Sequence, residues 1–209
     1  MSDIPPILEP APHRRHWLEY VATGVALLLS AVSLWVAIGT MDANQKMVAA
    51  SSWPYLQLTT SDAAPDGTDV LTFDIGNAGV GPALVENFEV QYNGKPIASS
   101  AQLLQRCCGY DPRQPHPVAV HQPSIGSWTE GTVGGSVIRA GETRNFFKMV
   151  RTAQNVHTFN TLREAIAARR LVARYCYCSV FSECWQSPFT GLHPTRVDRC
   201  AVPAVPYTE

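Results

Sequence analysis

From Tyr20 to Met41 the chain reads YVATGVALLLSAVSLWVAIGTM, and no charged residue stands between Glu19 and Asp42. At 1.5 Å rise per residue these roughly 22 residues make a helix of about 33 Å. A hydrocarbon core of about 30 Å is crossed by roughly 20 apolar residues, so the pattern predicts one transmembrane helix. Trp17, Tyr20 and Trp35 have the amphipathic character favoured near membrane boundaries. Ala37-Ile38-Gly39 offers a small-x-small cleavage pattern, but a signal-peptide apolar stretch runs only about 7–15 residues. The longer run favours an uncleaved anchor. One face of it is small: Ala22, Ala26, Ser30, Ser33 and Ala37 fall within an arc of about 80° at 100° per residue. Such a stripe lets helices approach closely and is a possible dimer seam for a homo-oligomer. The helix is expected to continue through DANQKMVAASS as a stalk and to stop before Trp53-Pro54, because proline disfavours helix at the residue before it.

Past Pro54 the period changes to two. Tyr55 to Leu58 alternates, Leu71, Phe73 and Ile75 share one face, and Phe88, Val90 and Tyr92 share another before a turn at Asn93-Gly94. Further strands are read at Thr143–Val150, Leu171–Phe181 and Cys184–Phe189. Between them TFNTLREAIAARR (158–170) has Phe159, Leu162, Ile166 and Ala167 at helical spacing, with Arg169 and Arg170 in its last turn. Six or seven short strands with one inserted helix fit a mainly β antiparallel sandwich better than a βαβ fold. Phe73, Ile75, Phe88, Val90 and Phe146 are its expected core. The Pro- and Gly-rich stretch 106–136 is expected to be a long irregular loop. The expected organisation is a disordered tail at 1–16, a transmembrane helix and stalk at 17–52, and an exterior domain at 53–209.

Charge sets orientation and excludes one class of partner. Arg14 and Arg15 precede the apolar run and only Lys46 follows closely, so the positive-inside bias puts the N-terminus in the cytoplasm. Sixteen Lys and Arg against seventeen Asp and Glu leave a net charge of -1, which argues against a nucleic-acid footprint. The balance is uneven: 47–138 carries 3 Lys/Arg against 8 Asp/Glu, and 139–208 carries 10 against 4. Interleaving of the two stretches in one sandwich would cancel them.

Several motifs carry a resemblance. The strand VLTFDI, the turn Gly76-Asn77-Ala78-Gly79-Val80-Gly81-Pro82-Ala83, the strand LVENFEVQYNGKPI and the turn Ile138-Arg139-Ala140-Gly141-Glu142-Thr143 resemble the immunoglobulin-like sandwiches of the bacterial cell-adhesion-related domain family. The likeness covers about residues 55–100 and 136–190. The anchor, N-A-G-V-G-P-A and C-Y-C-S-V-F-S-E-C-W together are also similar to uncharacterised small bacterial single-pass membrane proteins. The resemblance implies an immunoglobulin-like exterior domain on a signal-anchor in a bacterial inner membrane, with the C-terminal domain periplasmic. It implies no activity.

The glycine motif Gly76-x-x-Gly79-x-Gly81 lacks the Gly-Lys-Ser/Thr ending of a phosphate loop, and a strand follows it where such a loop needs a helix. It reads as a structural turn built on Asn77, Gly79, Gly81 and Pro82, with glycines at positive φ. Six cysteines, Cys107, Cys108, Cys176, Cys178, Cys184 and Cys200, form an even set suited to disulfides in an oxidising exterior. Cys176 and Cys178 point to the same side of one strand, and adjacent Cys107 and Cys108 close only a strained ring. A turn near Phe181 makes Cys178 and Cys184 cross-strand neighbours, the first choice of bridge. Cys107 and Cys108 are then left to reach Cys176 and Cys200. Paired C-x₂-C knuckles are absent, although His116 and His121 follow the first cysteine pair, so metal or thiol handling is the alternative. His157 and His193 sit at element edges, and Glu86 and Glu89 face opposite sides of a strand. No G-x-S-x-G or H-E-x-x-H occurs. The expectation is a non-enzymatic binding or structural module of the cell envelope, without a cofactor, acting on an unknown protein or envelope partner.

Overall fold

The computed structural model describes residues 13–113, 122–190 and 193–208. Of the expected disordered tail at 1–16, residues 1–12 lie outside the described residues, as do His116 and His121, while residues 13–16 belong to a helix, which corrects that boundary. The chain divides into two compact units that meet between Val48 and Ala49. The first is dominated by helix α1, His13–Ser51, which stops just short of Trp53-Pro54. Its stretch His16–Ser51 is long and apolar enough to cross a membrane. Within it Thr23, Ser30 and Thr40 turn their hydroxyls back onto the carbonyls of Glu19, Ala26 and Val36. Hydroxyls satisfied inside the helix need no water, a condition any lipid-exposed helix must meet.

Among its described residues the second unit carries ten strands and two helices. Four strands form one antiparallel sheet in the order β1 (Leu56–Ala63), β2 (Asp69–Asn77), β7 (Thr143–Val150), β5 (Trp128–Glu130). The other sheet runs β10 (Thr195–Val197), β9 (Cys184–Gln186), β8 (Leu171–Cys178), β3 (Ala83–Tyr92), β4 (Lys95–Ile97), and β6 (Val137–Ile138) adds a short pairing to β3. Both sheets contribute to one core. Phe88 of β3 meets Phe146 of β7 edge-on, ring centroids 4.7 Å apart, and Phe73 of β2 tilts against Phe146 at 5.4 Å. Phe73, Ile75, Phe88, Val90 and Phe146 are all buried, as the alternation required. Phe146 is the extra residue of a bulge: Phe73 pairs with Phe147 while Asp74 pairs with Asn145. That slip lets two consecutive phenylalanines both be buried. At Asn93 (φ 50) and Gly94 (φ 71) the backbone turns left-handed twice, the conformation of a two-residue hairpin, and leads into β4.

The structure corrects the expectation of a single helix in this unit. Helix α2, Ser100–Cys108, opens what looked like an irregular loop, and β5 joins the first sheet from its far end. Ser99 caps α2 by accepting from the Gln102 N–H, and Gln102 Oε1 reaches back to the Ala98 N–H at 2.6 Å. The Ser-x-x-Gln spacing is that of a capping box, with the glutamine reaching the N–H one residue before the cap. Helix α3, Val156–Ala167, lies where the apolar spacing put it but ends earlier. Arg169 and Arg170 are outside it: Arg170 N–H donates to Ala165 O and Arg169 N–H to Ile166 O, the two bonds of a Schellman cap. Arg169 therefore occupies the left-handed position at φ 54.

Interleaving of the sheets brings the acidic and basic stretches together. Asp69 pairs with Arg151 and Glu89 with Arg174 across the two stretches, while Glu183 pairs with Arg196 within the second.

Candidate functional site

A cleft of about 790 Å³ opens beside β1, whose only strand partner among the described residues is β2. The burial pattern of β1 explains why. Leu56 is fully buried, Leu58 is half-buried and the rest of the strand is exposed, so the inner face of β1 loses its cover after two turns of the pleat. Below lie buried Phe73, Phe147, Val90, Leu103 and Leu171. At the mouth stand exposed Arg169 and His193 with half-buried Tyr55, and the Tyr55 hydroxyl lies 3.1 Å from His193 Nδ1. No Asp or Glu is among the described lining residues.

Strand β8 forms one wall. Its inward Tyr175 donates to Leu56 O at 2.7 Å, which ties the two sheets together across the closed end. Burial raises the Tyr175 hydroxyl above the ordinary tyrosine range. The neighbouring Tyr177 is fully buried against Trp185, its hydroxyl makes no hydrogen bond among the described residues, and burial pushes it up to about 12.

The outward side of β8 carries the cysteines. Cys178 lies opposite Cys184 in the β8–β9 register and their sulfurs are bonded. Cys176 is bonded to Cys200, and Cys107 to Cys108. These last two pairs overturn the expectation that Cys107 and Cys108 reach Cys176 and Cys200. Local chain paths give the reason. Strand β10 pairs with β9, and the chain then returns so that Ala201 O accepts from Asn87 Nδ2 at 2.7 Å. Asn87 is the register partner of Cys176, so Cys200 arrives on Cys176. Cys107 and Cys108 are held together at the end of α2, just before Gly109 in the left-handed capping position. The sulfurs of Cys178, Cys184 and Cys200 all lie within 4.8 Å of one another.

The glycine turn is a clamp on the chain entering the second unit. Buried Asn77 donates through Nδ2 to Gly81 O and Ile138 O, and its Oδ1 accepts from the Tyr55 and Gly79 N–H groups. The Val80 N–H donates to Trp53 O and the Ala78 N–H to Tyr55 O. A Cβ on Gly79 would lie 2.4 Å from Tyr55 N, and one on Gly81 would lie 1.9 Å from Ser52 O. Neither glycine has positive φ, which corrects that part of the sequence reading. Close backbone approach excludes a side chain there. Pro82 leads from the clamp into β3.

Among the other residues considered, exposed His157 lies on α3. Glu86 is exposed, at a register slip in the β3–β8 pairing, while Glu89 is buried against Arg174 at 2.6 Å. They form no acid/base pair. The cleft was missed by sequence reasoning. Its one local signal is the run Ala167-Ala168-Arg169-Arg170-Leu171, where a helix must stop and a strand begin without a glycine. No family model, curated protein or solved structure matches the chain.

Proposed function

We propose that the chain is a membrane-anchored binding module of the bacterial cell envelope. Helix α1 crosses the inner membrane with its N-terminus in the cytoplasm, and the disulfide-linked β domain stands in the periplasm. The observation that carries this reading is that six paired cysteines, which require an oxidising compartment, share a chain with a helix apolar enough to span a bilayer. Arg14 and Arg15 before the apolar run, with only Lys46 close after it, support the orientation. An immunoglobulin-like sandwich is supported by strand order. Sheets β1-β2-β7-β5 and β9-β8-β3-β4 follow the order A-B-E-D and G-F-C-C′ of that architecture. Ala22, Ala26, Ser30, Ser33 and Ala37, exposed along one stripe of α1, are the seam through which two copies would pair.

Alkaline phosphatase fused after Glu209 tests the topology in a bacterial host. Phosphatase activity is expected, and activity only from a cytoplasmic reporter at that position overturns the proposal. A second reading, a thiol- or metal-handling envelope protein using the cysteine cluster, requires the Cys178–Cys184 and Cys176–Cys200 bridges to open, which would release Cys178, Cys184 and Cys200 with sulfurs within 4.8 Å of one another. Alkylation of unreduced protein with metal analysis separates the two. Absence of free thiols and metal supports the binding module; reactive thiols or stoichiometric metal support the second reading.

A further inference from the structure

We infer that the cleft beside β1 binds a single-chain amphiphile with a carboxylate head, its chain lying over Leu58, Phe73, Phe147 and Leu171 and its carboxylate held by Arg169. The inference rests on the reading of the domain as a binding module and names what it binds. Small-molecule clefts typically enclose about 300–1,000 Å³, with apolar walls and a few placed polar groups. This cleft has that size and an aromatic and aliphatic floor, with Gln57, Thr59 and Thr60 of β1 and buried Ser187 among its polar lining residues.

The sign of the head follows from the lining. Arg169 is the one Lys or Arg among the described lining residues, and no carboxylate is among them to neutralise it. A guanidinium presents two parallel N–H donors that match a carboxylate. Arg169 has no side-chain partner among the described residues.

The backbone supplies an independent observation. Arg169 fills the left-handed position of a Schellman cap, where glycine is the ordinary residue. The chain carries an unfavourable conformation there for a side chain that bonds nothing among the described residues. Such strain recurs where a side chain serves a ligand. The Tyr55 hydroxyl and His193, 3.1 Å apart, also line the cleft and offer further hydrogen-bonding groups to the head. A peptide adding to the free edge of β1 would instead be held by backbone bonds and would not need Arg169.

The test uses the full-length protein in nanodiscs of zwitterionic lipid, irradiated with hexadecanoate carrying a diazirine near its tail. Adducts are expected on the cleft floor, at residues such as Leu58, Phe147 and Leu171. They should fall on the order of tenfold in Arg169→Gly, a variant whose melting temperature should not drop because glycine suits the position. Leu58→Trp, which narrows the cleft while keeping Arg169, should also abolish them. The hexadecylamine analogue with the same diazirine should leave the floor unlabelled. Adducts confined to α1, or cleft labelling unchanged by Arg169→Gly or equal with the amine, overturn the inference; the last two would point to apolar or backbone-held occupants. The phosphatase fusion is read in parallel. An active fusion without cleft adducts rejects this ligand and leaves the anchored module standing, whereas an inactive fusion rejects the module itself.

Discussion

Asn77 uses every hydrogen-bonding group it has. Its amide nitrogen donates to Gly81 O and Ile138 O, its amide oxygen accepts from Tyr55 and Gly79, its own N–H donates to Glu142 O, and its carbonyl accepts from Gly141. Removing the side chain leaves two donors and two acceptors without partners, each costing about 1–3 kcal/mol where buried. Asn77→Ala should therefore lower domain stability by about 3–5 kcal/mol, read by denaturant unfolding. Asn77→Asp should fare no better, because it keeps the acceptor and sets a carboxylate oxygen against two carbonyls. The sequence marked Asn77 as a turn residue, since asparagine beside glycines is turn chemistry. Its bond to Ile138 spans 61 positions and left no local trace. Arg169 was misplaced for a related reason: apolar spacing locates a helix, while its last residue depends on which cap the backbone closes.

At the scale of elements, the alternation of apolar positions located β2, β3, β7 and β8 and their buried faces. Among the missed elements, α2 is nine residues long, so the helical spacing of its core-facing Leu103, Leu104, Cys107 and Cys108 lasts only about two turns. Its legible signal was the cap, Ser99 with Gln102. Strand β8 carries a pH dependence that follows from its inward tyrosines. Unfolded tyrosine loses its proton near pH ~10, whereas buried Tyr177 holds it up to about 12. Above pH ~10 the native state binds more protons than the unfolded chain, so stability falls as pH rises through this window. Tyr175 adds to the fall in the same direction. Tyr177→Phe keeps the packing against Trp185 and deletes an unpartnered hydroxyl, so it should fold at least as stably near neutrality. Its melting temperature should also decline less steeply than that of the parent protein between pH ~9 and ~11. Equal slopes for the two proteins would show that Tyr177 does not titrate with unfolding.

Across the whole molecule, what escaped the sequence is connectivity. Cys178 and Cys184 were readable as partners because six positions and one turn separate them. Pairing of Cys176 with Cys200 depends on β10 docking on β9 and on the Asn87–Ala201 bond, which strand periodicity does not encode. This bridge closes a separation of 24 residues, worth about 3 kcal/mol in the chain-entropy model. The double variant Cys176→Ser, Cys200→Ser should lose about that much stability while retaining the Cys178–Cys184 bond in non-reducing peptide maps. Recovery of a Cys107 or Cys108 peptide linked to Cys200 in the parent protein would contradict the pairing. The charge asymmetry along the chain, by contrast, dissolves once the sheets interleave, as the Asp69–Arg151 and Glu89–Arg174 pairs show.

Tyr207 belongs to the core: it packs edge-on against Phe88 and its N–H donates to Phe88 O. A ribosome adds residues in order, so Phe88 waits through 119 further positions for that neighbour, and Leu56 waits equally long for the hydroxyl of Tyr175. During that interval Phe146 joins Phe73 and Phe88, and Tyr207 is the last ring to reach them. Completion of the core thus draws on residues far along the chain, Phe146, Tyr175 and Tyr207 in turn. A chain whose core waits that long reaches its final form only after nearly everything upstream has been released.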